Sequence, residues 1–178
     1  MKKACISFLF VAIIILSGIG LLSFQTQTQT EYVRIHIRAN SNSQVDQAVK
    51  YAVKDAVVEY LTPFIVECNT KSKAENLLKD RLNQIERVAD SVLCANGFDY
   101  TSKASVKNEK FPTRIYQGVQ LDGGFYDALI IELGSGKGDN WWCVVYPPLC
   151  FTAETGIGYV YRSKILDVIN DFFNKEKK

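Results

Sequence analysis

From Ala4 to Phe24 the chain carries no charged residue, a run of 21 positions that includes FLFVAIIIL. That is enough for a membrane-spanning helix, which needs about 20 apolar residues. Lys2 and Lys3 precede it, so the positive-inside rule keeps them cytoplasmic and translocates the chain beyond Phe24. Small residues at Ser17, Gly18, Gly20 and Ser23 offer a signal peptidase a site, although no A-x-A is present. Residues 1–24 are therefore either a cleaved signal peptide or a retained anchor. Residues 25–30, QTQTQT, have nothing to bury and read as a polar tether. Residues 31–178 are enough for one hydrophobic core and are read as one domain.

Within that domain the period of the apolar positions changes twice. Tyr32 to Ala39 (YVRIHIRA) alternates, with Val33, Ile35 and Ile37 on one face and Arg34, His36 and Arg38 on the other, which predicts a half-buried strand with a polar outer face. Ser43 and Asp46 fit a capping box. The helix it opens has Val45, Ala48, Val49, Ala52, Val53, Ala56, Val57, Tyr60 and Leu61 at three- and four-residue steps, and Pro63 ends or kinks it. A second helix is expected from Ser72, capped with Glu75, through Leu77, Leu82, Ile85 and Ala89 to Leu93, stopped by Asn96-Gly97. Two such helices with a short connection predict an antiparallel pair. Beyond Tyr100 the pattern changes to short strands: 100–110, FPTRIY, ALIIEL and WWCVVY, the last two expected to form a hairpin across GSGKGDN. Lys164 to Phe173 reads as a closing helix with Ile165, Leu166, Ile169, Phe172 and Phe173 on one face. The mixture lacks a regular βαβ repeat, so the class is α+β: an N-terminal strand, a helix pair, a mainly antiparallel sheet and a C-terminal helix.

Charge narrows the partners. With Lys2 and Lys3 set aside, nineteen basic residues face nineteen acidic ones, and a neutral domain argues against nucleic acid. Chemistry of the usual kinds is not signalled either. His36 stands alone without a G-x-S-x-G or H-E-x-x-H context, Lys137 in GSGKGD is followed by Gly138 and not by Ser or Thr, and no C-x-x-C spacing suggests zinc. No catalytic residue, metal or cofactor is assigned. Cys68, Cys94, Cys143 and Cys150 lie beyond the membrane segment, where an oxidising exterior permits disulfides. Cys143 and Cys150 flank Pro147-Pro148, so a turn can join them. A Cys68–Cys94 bond would have to bridge roughly 36 Å along an unbroken helix, which leaves both as free, buried thiols. Trp141 and Trp142 point to opposite faces of their strand, Tyr146 sharing the face of Trp142, so either both are core or one is an interface anchor.

The segments RIHIRANSNSQVDQAVKYAVKDAVVEYL, FPTRIYQG and GKGDNWWCVVYPPLCF, in that order, closely resemble the stage II sporulation protein R family of endospore-forming bacteria. Asn42 stands where that family commonly has Asp, while Trp141, Trp142, Cys143, Pro147, Pro148, Leu149 and Cys150 match unchanged. The resemblance implies a non-enzymatic signal, exported into the space between the forespore and mother-cell membranes. There it would activate a membrane-embedded aspartic protease that processes a pro-sigma factor. Partner-binding candidates are Trp141, Trp142, Tyr146, Arg34, His36 and Arg38. The rival expectation is an extracytoplasmic hydrolase acting on the cell wall.

Overall fold

The computed structural model describes residues 31–116, 118–151 and 159–176, so the expectations for the apolar segment and the tether fall outside it. Among the described residues no helix is long and apolar enough to cross a membrane. The chain is α+β. Strand β1 (Val33–Arg38) is followed by helices α1 (Gln44–Ile65), α2 (Lys71–Asp80) and α3 (Leu82–Ala95). Strands β2 (Ser102–Phe111), β3 (Arg114–Tyr116), β4 (Val119–Leu121), β5 (Gly124–Leu133) and β6 (Asn140–Tyr146) come next. A 3-10 turn (Leu149–Phe151) and helix α4 (Tyr159–Glu176) close the chain.

The main sheet runs β2-β5-β1-β6, with β1 parallel to β5 and antiparallel to β6. One face is covered by the helices. Ile35, Ile37, Leu129, Ile131, Leu133 and Val145 meet Val53, Val57, Leu61, Ile65, Leu78, Ile85 and Leu93, all completely or almost completely buried. Each contributes about 1.5–3 kcal/mol, which makes this layer the main source of stability.

Three expectations are corrected by this arrangement. ALIIEL and WWCVVY do not form a hairpin, because β1 lies between them. The loop between β5 and β6 must therefore step across a whole strand, about 9–10 Å in the hydrogen-bonding direction. Gly134 and Gly136 adopt positive φ (55° and 61°) to make that step. Nor is β1 half-buried, since Arg34 and His36 are as enclosed as Ile35 and Ile37. The second helix is broken at Arg81, whose φ of −109° and ψ of 8° separate α2 from α3, and α1 packs chiefly on α3.

The helix starts differ in detail from the capping boxes expected of them. Ser43 does cap α1, its hydroxyl accepting from Asp46 N at 3.2 Å. Asp46 does not return the bond as a capping box would; its carboxylate accepts from Ser41 Oγ (2.5 Å), Asn40 Nδ2 (3.1 Å) and Tyr100 Oη (2.5 Å). These hydrogen bonds hold the Asp46 carboxyl below the usual carboxylate range against the opposing effect of burial. Helix α2 is capped by Thr70 rather than Ser72, with Glu75 turned instead toward Lys71 at 3.5 Å. Pro63 sits in the last turn of α1, which stops at Ile65.

The turn ANSNS and the loop GSGKGD, about 95 residues apart, interlock. Ser135 N donates to Asn40 Oδ1 (2.9 Å), Ser135 Oγ to the Asn40 carbonyl (2.7 Å), Asp139 N to Asn42 Oδ1 (2.6 Å) and Gly138 N to the Ala39 carbonyl (2.8 Å). A Cβ at Gly138 would lie 2.3 Å from the Ser41 carbonyl oxygen, so only glycine fits there.

Candidate functional site

The face of the main sheet turned away from α1–α3 collects most of the polar side chains the sequence singled out. Alternation along β1 sends Arg34, His36 and Arg38 to this face. Register places Ala128, Ile130 and Glu132 of β5 beside them on one flank, and Val144, Trp142 and Asn140 of β6 on the other. The β2–β5 ladder adds Glu109 opposite Tyr126 and Phe111 opposite Gly124. Part of the face is roofed by the two-stranded hairpin β3–β4.

His36 is sandwiched. Its ring stacks on Trp142 at 3.6 Å between centroids, with 20° between planes, and meets the edge of Phe111 at 6.0 Å. Nδ1 lies 3.0 Å from Glu109 Oε1. Arg38 joins Glu132 (Nη1 to Oε1, 2.6 Å) and also Glu109, so one arginine clamps the carboxylates of two strands. Burial holds the His36 imidazole below its ordinary range, helped by the charge of Arg38, with the Glu109 carboxylate acting the other way. For Glu109, burial favours the neutral acid, but the charges of Arg38 and His36 prevail and hold the carboxyl down.

Arg34 lies deeper. Its guanidinium carbon is 4.3 Å from the Phe111 ring centroid, 4.8 Å from Tyr126 and 5.5 Å from Tyr116, and Nη2 donates to Tyr116 Oη at 2.6 Å. Glu109, Phe111, Tyr116 and Tyr126 are thus parts of this face that sequence reasoning did not single out. Of these only Phe111 and Tyr116 fall in a segment the sequence marked, FPTRIY, which reads there as a short strand.

The remaining candidates lie elsewhere. Trp141 points to the helix side, where its ring is 5.9 Å from Lys54 Nζ. Tyr146 is buried edge-on against Phe172 and lines a cavity of about 510 Å³ with Cys68, Val66 and Thr70. Burial raises the Cys68 thiol above its usual range. Cys94, expected to be buried, is exposed, because it sits on the outer face of α3 one residue beyond buried Leu93. Cys143 and Cys150 are joined, with Cα atoms 6.2 Å apart. Among the described residues no group of three or more His, Cys, Asp or Glu could hold a metal.

The fold and this face define an α+β protein whose one histidine is locked between carboxylate, arginine and indole. Residues 29–156 match the family described as Stage II sporulation protein R, and the chain belongs to it. A curated relative, "Stage II sporulation protein R" of Bacillus subtilis (strain 168), is 33% identical over 119 residues. That alignment takes in 67% of this chain and 53% of the relative, so the chain spans about half the relative's length. No solved structure matches.

Proposed function

We propose that this chain is a secreted intercompartmental signal of endospore formation, one that activates a membrane-embedded aspartic protease so that it processes a pro-sigma factor. The observation that supports it is the family match across residues 29–156. That span contains both ANSNS and GKGDNWWCVVYPPLC, the segments that the fold ties into one unit. In this account the chain is exported into the space between the two sporulation membranes, tethered there if residues 1–24 are retained, and has no nucleic-acid partner. It works by differential affinity for the active state of the protease, which is all that activation requires. Trp142 and Arg38 form the accessible rim of the docking face, with Arg34 and His36 beneath.

The rival is an extracytoplasmic hydrolase. His36 with Glu109 has the imidazole–carboxylate geometry of a general base, but its flanking groups are Trp142, Phe111 and Arg38. Hydrolysis by nucleophile needs a hydroxyl or thiol within about 3 Å of the base. The two accounts separate on His36→Gln: a ligand loses protease activation only as far as it loses binding, whereas an enzyme stays bound and goes silent. Pull-down of the protease and processing of its substrate, measured on the same variant, decide between them.

A further inference from the structure

Arg34 carries a charge that nothing described in the fold neutralises. It is completely buried, yet its Nε and Nη1 have no hydrogen-bond acceptor among the described residues. Its hydrogen bond goes to the neutral hydroxyl of Tyr116. The carboxylates of the same face are committed to other groups: Glu132 to Arg38, and Glu109 to Arg38 and His36, with Lys107 Nζ 3.6 Å from its second oxygen. Three aromatic faces attract the guanidinium, but they accept no hydrogen bonds of the strength its N–H groups have lost to desolvation. For packing alone, an uncharged side chain of the same length would serve better.

The cover over Arg34 is held by side chains. Hairpin β3–β4 forms its own two-stranded sheet and shares no ladder with the main one. At its base Gly123 N donates to Thr113 Oγ1 at 2.8 Å. Leu121 packs with Val144 and Leu149, and the Tyr116 hydroxyl reaches Arg34. Tyr116 also touches the helix-side core, and Ile169 and Phe173 of α4 pack on the Leu121 cluster, so lifting the hairpin breaks these side-chain contacts but no sheet ladder.

From the orphaned nitrogens, the aromatic walls and a cover that shares no ladder with the main sheet, we infer that Arg34 is a receptor for one carboxylate, carried on an acidic side chain or chain end of a peptide that enters beneath hairpin β3–β4. Ionised carboxylate fits because a single unpaired cation matches a monoanion. A phosphate dianion would bring a surplus negative charge toward Glu109 and Glu132. Phe111 and Tyr126 offer the methylenes next to the carboxylate an apolar wall. The inference concerns binding chemistry and stands apart from the identity of the protease.

The test uses the full chain in non-ionic detergent, with the Arg34 Nε–H signal followed by NMR and thermal melts run alongside. The probes are propionate and an N-acetylated peptide amide containing a single Glu, each against chloride at matched ionic strength. A saturable shift of the Nε–H signal is expected with the glutamyl peptide, and a rise in Tm of about 4 °C at ten times Kd. A response to propionate as well marks a site open to small acids; a response to the peptide alone marks one that needs the chain around the carboxylate. Arg34→Met should melt no lower than the parent in the absence of carboxylate and should lose both responses. Tyr116→Phe, which keeps the wall and removes the competing hydroxyl, should bind severalfold tighter. No shift with either probe, an equal shift with chloride, or an unchanged affinity in Tyr116→Phe would overturn the inference.

Discussion

Gly138 and Asn42 show how much of this fold hangs on single atoms. Gly138→Ala drives a methyl into the Ser41 carbonyl and should cost about 1–3 kcal/mol, read as a lower Tm. Asn42→Ala removes the acceptor for Asp139 N and should cost about 1 kcal/mol. Asn42→Asp should be nearly neutral, since the position uses only a side-chain oxygen. Titration behaviour is set on the other face. His36 is held below its ordinary 6.5 and Glu109 below its ordinary 4.5, so at acidic pH the unfolded chain binds more protons than the folded one. Stability should therefore be fully present above 6.5 and fall as pH drops through that value, then fall further below 4.5. Denaturant melts from about pH 8 to about pH 4 should show this, and His36→Gln should flatten the upper part of the slope. None of this is legible in β1 alone. The alternation of YVRIHIRA predicts a solvated Arg34, whereas its cover comes from Tyr116, 82 residues away, and no local pattern reports a distant roof.

Strand β6 serves both layers at once, and its two tryptophans should behave differently. Trp141 packs at the edge of the helix-side core and Trp142 stacks on His36, each half-buried. Trp141→Ala should lower stability by about 2 kcal/mol, less than a fully buried tryptophan would, and leave activation intact once folded. Trp142→Ala should stay folded and fail to activate the protease. Thermal melts with a processing assay check this; if both variants merely unfold, the pair is core and the docking surface lies elsewhere. The Cys143–Cys150 bond closes a seven-residue separation, for which chain entropy gives about 2–3 kcal/mol. Non-reducing peptide maps should recover that link, with Cys94 alkylated quickly and Cys68 only after unfolding. At this scale the sequence is informative about element types and poor on neighbours. The periods of 3.6 and 2 locate α1, α3 and most strands. Alternation, however, tells which face a residue takes and not which strand lies beside it, so the insertion of β1 between β5 and β6 could not be read. The break at Arg81 escapes notice because Leu78, Leu82 and Ile85 keep helical spacing across it.

For the whole molecule, the proposed role depends on position: the chain has to reach the far side of the membrane to act on the proposed partner. Removing residues 1–24 should leave a folded protein trapped in the producing compartment and inactive, and an unrelated export signal should restore activity. The most direct test of the central claim is reconstitution. Purified residues 25–178 are added to the outside of vesicles holding the protease, and pro-sigma processing is followed together with binding. The account predicts processing that rises and saturates in step with occupancy, and that Trp142→Ala loses both together. Processing that stays at background while the folded protein is bound, or that proceeds equally without it, would contradict it.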